Sequence, residues 1–145
     1  MTPHPAPDLH AADLLGPVGV ALAFIALMSL FREPARQRFN AVFVAGAGAA
    51  YLGAGLGPWE FILPVAVTAC AYRGLTSYRF IGLAWLLHTA WDVVHHFYAN
   101  PIIPFAPTSS AGCAICDTVL ALWFFANAPS VFELARRRPA AALPS

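Results

Sequence analysis

The chain has 145 residues, 59% of them hydrophobic and only 10% charged, with a mean hydropathy of +0.65. Soluble domains average about a quarter charged residues, and a soluble fold of this size leaves too much surface exposed to hide so apolar a composition. The formal net charge of +1 gives no argument for a nucleic-acid partner, and none is assigned.

Taken in order, residues Met1 to Asp13 carry no basic n-region and so do not resemble a cleaved signal peptide. With Pro3, Pro5, Pro7, His4 and His10 they are expected to form a disordered tail. A first apolar run extends from Leu14 to Phe31, followed by Arg32, Arg36 and Arg38. Asn40 is placed to cap a second run, Ala41 to Leu56. That run holds Gly46, Gly48, Gly53, Gly55 and Gly57, small residues of the kind that let helices approach closely in membranes. Gly55-Leu56-Gly57-Pro58 is expected to turn the chain into a third run, Trp59 to Tyr72, in which Pro64 introduces a tolerated kink. Arg73 and Arg79 precede the fourth run, Phe80 to Tyr98. The connection Asn100 to Ser110 contains three prolines yet is apolar for a loop. It is read either as a lid over one end of the bundle or as an interfacial loop. The fifth run, Gly112 to Ala128, leads to Arg136, Arg137 and Arg138, and residues 139–145 form a second tail.

Each apolar run is expected to be helical, because helices satisfy their own backbone in hydrocarbon. The fold class expected is therefore all-α: one integral-membrane domain over residues 14–138, a bundle of about five transmembrane helices. Several runs are shorter than the ~20 residues of a full span. All eight basic residues are arginines and fall at alternate turns. The positive-inside rule makes that side cytoplasmic, with the N-terminus out and the C-terminus in. The expected location is a bacterial inner membrane, with the lipid bilayer as the first partner.

Chemistry concentrates in two places. His88-Thr89-Ala90-Trp91-Asp92-Val93-Val94-His95-His96 puts ionisable groups inside an apolar segment, where they are costly and ordinarily functional. At about 100° per residue, His88, Asp92 and His95 share one helix face and His96 lies at its margin. Asp117, on the next helix, reaches a similar depth, ~8 Å from the outer end against ~9 Å for Asp92. Glu60 begins the third run at the same end. Helix bundles hold metal ions with such His and carboxylate pairs. His88, Asp92, His95 and Asp117 are thus candidate metal ligands. Asp117 doubles as a candidate general base, with His96 and Glu60 as proton carriers. Nitrogen and oxygen donors suit zinc or iron; a thiolate would bring copper into consideration. A metal-free proton network and plain packing remain as alternatives.

The second place is Cys113-Ala114-Ile115-Cys116, at the start of the fifth run. A Cys-x-x-Cys at a helix N-terminus is compatible with thiol redox chemistry, and equally with two buried structural thiols. The other cysteine, Cys70, lies at the opposite end of its helix, which weakens a relay between thiol pairs.

Through Arg32-Glu33-Pro34, Gln37-Arg38-Phe39-Asn40, Tyr72-Arg73-Gly74, Tyr78-Arg79-Phe80-Ile81-Gly82, His88 to His96, Asn100 to Phe105 and Cys113 to Asp117, the chain resembles a family of small bacterial integral-membrane proteins of unknown function. The resemblance implies membrane location and no activity. A looser likeness, to multi-span zinc hydrolases acting on lipid amides, is one of analogy. The function expected is a membrane-embedded His/Asp metal-site protein. An enzyme of hydrolase or oxidoreductase type is favoured, acting on a lipid-soluble or periplasmic small molecule. The other readings are a proton-coupled transporter, a thiol-redox protein using Cys113 and Cys116, or a structural subunit of a membrane complex.

Overall fold

A computed structural model of the chain describes residues 7–98 and 100–137, without the side chain of Arg137. Residues 1–6, Arg138 and the expected tail at 139–145 lie outside the described residues. The described chain is helical, with no strand among the described residues: α1 (Ala11–Met28), α2 (Ala35–Gly48), α3 (Ile62–Gly74), α4 (Tyr78–Tyr98), α5 (Ser109–Phe125) and α6 (Val131–Arg137). Two 3-10 segments, Ala49–Tyr51 and Gly57–Phe61, extend α2 and precede α3.

Helix α4 is the centre of the bundle. It packs most extensively on α5 and also touches α3 and α2, while α1 lies against α5. Glycine makes the closest approaches. A Cβ on Gly82 would stand 3.1 Å from the Ala121 carbonyl of α5, and one on Gly48 3.2 Å from Val67 of α3. The other glycines expected to form a packing face do different work. Gly46 faces open space, and Gly53, Gly55 and Gly57 hold positive φ angles in the connection to α3. Only glycine adopts those angles freely.

Three local expectations change. Ala11 to Asp13, expected in the N-terminal tail, form the first turn of α1, where Asp13 accepts a hydrogen bond from the His10 amide. Asn40 is not a cap but lies buried within α2, its Nδ2 donating to the Arg36 carbonyl at 2.8 Å. Pro64 falls in the first turn of α3, where its missing N–H costs nothing, so the helix starts there and is not kinked mid-course. Helix α6 was not expected. Asn127 and Ala128 take positive φ angles after α5 and turn the chain back. Val131 N and Ser130 Oγ then bond to Ser29 at the end of α1.

Hydrogen bonds fix the two ends of the bundle. At one end Gln37 Nε2 donates to the Gly74 carbonyl, Arg36 Nε meets Tyr78 Oη, and Ser130 meets Ser29. The turns bearing Arg32, Arg36 and Arg38, those bearing Arg73 and Arg79, and α6 therefore gather at that end. At the other, Asn100 N donates to the Ala54 carbonyl and Thr108 Oγ1 to Asp13.

Among the described residues, one helix is long and apolar enough to cross a membrane: α1, 18 residues at mean hydropathy 2.0. Helix α5 is apolar but has 17 residues. The expectation of five such spans is not met helix by helix, for two reasons. Glycine and proline break the second and third runs into 3-10 segments, leaving α2 and α3 at 14 and 13 residues. Helix α4 has the length, 21 residues, but carries Arg79, Asp92 and three histidines. Large apolar side chains nevertheless point outward around the bundle, among them Leu15 (71% exposed), Val42 (67%), Val65 (69%) and Leu122 (64%).

Candidate functional site

Apart from Arg36, Asn40, Ser29 and Ser130 at the arginine end and Ser110 at the start of α5, the buried polar residues gather at one level. There His88, Asp92 and His95 of α4, Asp117 of α5 and Glu60 before α3 are all buried. The i, i+4, i+7 spacing read from the sequence places the first three on the inward face of α4, as helical geometry demands. Asp117 comes from α5, the helix on which α4 packs most extensively.

Tyr51 stands at the centre, and the sequence reading did not single it out. It ends the 3-10 extension of α2 and is 3% exposed. Its hydroxyl donates to Asp92 Oδ1 at 2.7 Å and lies 3.4 Å from His88 Nδ1. The same imidazole nitrogen is 4.0 Å from Asp117 Oδ2, a spacing that one bridging water can span. The Tyr51 ring also packs on both histidines, with centroids 5.4 Å from His88 and 5.5 Å from His95. Three side-chain atoms of these five residues lack a well-formed hydrogen bond: Asp92 Oδ2, His95 Nε2, and His88 Nε2 on the far side of its ring, where the Val44 backbone lies.

A second group forms beside the first. Glu60 Oε1 accepts from the Leu56 amide at 2.8 Å, and Oε2 accepts from Trp91 Nε1 at 3.4 Å. His95 Nε2 is 3.4 Å from that same Oε2, and its Nδ1 is 3.3 Å from the Asn100 carbonyl. Glu60 is thus a buried partner of His95. A Cβ on Gly55, at φ +114°, would stand 2.9 Å from Asn100 Nδ2, so glycine there is what lets the loop dock.

The four expected metal ligands divide between these groups. His88, Asp92 and Asp117 surround Tyr51, whereas His95 is engaged by Glu60 and Asn100. No set of three or more His, Cys, Asp or Glu among the described residues is arranged to hold a metal ion. His96 diverges as its position implies. Its ring lies against Phe97, and no hydrogen bond joins it to either group. Cys113 and Cys116 are free, half-buried thiols one turn apart on α5, and Cys70 is also free.

A cavity of about 320 Å3 adjoins this level. Its walls come from Ala50, Leu52, Gly53 and Ala54, which flank Tyr51, and from Asn100 to Ile102 with Pro104. Ile102 N donates to Ser110 Oγ and Ile103 N to Ser109 Oγ, folding the loop onto the start of α5. Phe105 at the loop tip is 90% exposed. The loop therefore both covers this end and projects an aromatic ring from it.

No curated protein and no solved structure matches the chain. A sequence model of a family of unknown function, DUF6010, matches residues 12–130, which take in the five long helices but for Ala11 and every residue of both polar groups, so the chain belongs to that family.

Proposed function

We propose that the protein is a membrane-embedded enzyme built around a proton-transferring centre. Its substrate is a small molecule reaching the Tyr51–Asp92 pair from the end opposite the arginines. The observation that carries this reading is the run of contacts His88 Nδ1, Tyr51 Oη, Asp92 Oδ1, with Asp117 facing the same imidazole. A tautomer protonated at Nδ1 donates to the tyrosine oxygen, and the tyrosine donates to Asp92. Asp92 Oδ2 is left to accept a proton from a substrate. Asp117 is placed to exchange one with His88 through a single water. Positioned acid–base pairs of this type accelerate proton transfer by about 10²–10⁴-fold. The adjoining cavity lies at the lower end of the volumes that hold small ligands.

The membrane placement rests on the outward apolar side chains, on the apolar α1, and on arginine clusters collected at one end. A bundle of five helices with the N-terminus out and the C-terminus in, in a bacterial inner membrane, accommodates all three. Its short α2 and α3 would be completed by their 3-10 extensions.

A divalent metal, zinc or iron, is the second reading. The unpartnered Asp92 Oδ2 favours it, since a buried carboxylate needs a compensating partner. One ion taking all four expected ligands would require His95 to turn away from Glu60 and Asn100.

The test uses the full chain in lipid nanodiscs, with elemental analysis alongside infrared difference spectroscopy across a pH titration. The expected result is a titrating carboxyl band that disappears in Asp92→Asn and shifts in Tyr51→Phe, in protein without stoichiometric metal. A spectrum unaltered in Asp92→Asn overturns the acid–base reading. Stoichiometric metal lost from His88→Ala replaces it with the metal reading.

A further inference from the structure

A second cavity lies away from this centre, at the arginine end. It measures about 800 Å3 and sits between the α1–α2 connection and α6. Its floor is the seam in which Ser130 Oγ donates to the Ser29 carbonyl and Val131 N to Ser29 Oγ, each at 3.2 Å. Arg36 forms a buried wall, paired with Glu33 at 2.6 Å. Tyr78 Oη also donates to that carboxylate, so the Glu33 charge is already engaged.

Arg32 and Arg136 line the same cavity, are exposed, and form no ion pair among the described residues. Glu133 is the other acidic group in the wall. The mouth is apolar: Leu30, Phe31 and Phe132 are 65%, 38% and 43% exposed. Arginine forks match phosphate oxygens. A free phosphate would engage them and leave the leucine and both phenylalanines in water. A phosphate bearing hydrocarbon chains satisfies both sets.

We propose that this cavity binds the phosphate headgroup of an anionic phospholipid, clasped by Arg32 and Arg136, with the acyl chains against Leu30, Phe31 and Phe132. Basic pockets between helices on the cytoplasmic side are a physically expected location for such headgroups. The inference rests on the membrane placement and is independent of the acid–base centre.

Sedimentation of carbonate-washed membranes comes first. If the chain washes off, the membrane placement and this inference fall together; if it stays, the lipid question is tested by itself. The probes are nanodiscs of phosphatidylglycerol, nanodiscs of phosphatidylcholine, and inorganic phosphate added to the latter. Lipid retained on the full chain is measured by native mass spectrometry and thermal stability by melting. The expected result is retention of phosphatidylglycerol and a higher Tm with it than with phosphatidylcholine. The double variant Arg32→Gln, Arg136→Gln should lose about thirtyfold in lipid affinity. Arg79→Gln, an exposed arginine at the same end but outside the cavity, should leave it unchanged. Equal behaviour in the two lipids, or equal losses in the double variant and Arg79→Gln, overturns the proposal. So does inorganic phosphate reproducing the whole stabilisation, which would assign the arginines to a free anion.

Discussion

Tyr51 is the residue on which the polar level turns, because its hydroxyl bonds Asp92 and its ring separates His88 from His95. Replacing it with phenylalanine keeps the ring packing and removes one oxygen. Asp92 then has neither oxygen bonded, and Tyr51→Phe is expected to cost about 1–3 kcal/mol, the penalty for an unsatisfied buried polar group. Denaturant melts of Tyr51→Phe, Asp92→Asn and the double variant form the check. A double variant no worse than the more damaging single one shows coupling; simple additivity shows none. Glu60 belongs to this scale as well. Three groups converge on its carboxylate: the Leu56 amide, and Trp91 and His95 of α4. The stripe His88, Asp92, His95 was legible in the sequence because helical spacing alone puts those residues on one face. Tyr51 and Asn100 were not. Nothing in Ala49-Ala50-Tyr51 separates a central tyrosine from an outward one until α2 is seated against α4.

At the scale of elements, the glycines separate into those that permit helix contact and those that permit turns. A Cβ at Gly74 would stand 2.7 Å from Ile81 Cγ1, and Ile81 is fully buried. Gly74→Ala forces the end of α3 and the first turn of α4 apart, with an expected cost of about 1–3 kcal/mol from overpacking. Gly46 has nothing within 4 Å. Gly46→Ala should leave stability unchanged or raise it by up to about 1 kcal/mol through helix propensity. Comparative thermal melts of the two variants are decisive, since equal effects would show that the α3–α4 contact is not as close as described. Helix positions were readable from the apolar runs; helix lengths were not. The second run contains enough apolar residues for a longer helix, but Gly53, Gly55 and Gly57 take positive φ angles and divide it from α3.

For the whole molecule, the distribution of arginine and of outward apolar side chains sets the orientation that follows from the membrane reading. With Cys70, Cys113 and Cys116 replaced by alanine, Phe105→Cys should react with an impermeant maleimide added to intact cells. Thr76→Cys, in the turn between Arg73 and Arg79, should react only after permeabilisation. The reverse pattern inverts the topology, and labelling of both in intact cells removes it. The proposed orientation would put the Tyr51–Asp92 centre near the outer surface and the Arg32–Arg136 cavity at the inner one. The two sites would therefore meet different chemical environments.

The sequence by itself determined the helical class, the polar stripe on α4, and the collection of arginines at alternate turns. Each depends on local periodicity or on composition, which the chain carries before it folds. Only the tertiary structure decided which side chains are partners. It divided the four expected ligands into a group around Tyr51 and a pair with Glu60, left His96 aside, and closed a cavity with an α6 that no apolar run announced. Those outcomes depend on how helices are seated and where glycines let loops dock, and such contacts join residues dozens of positions apart.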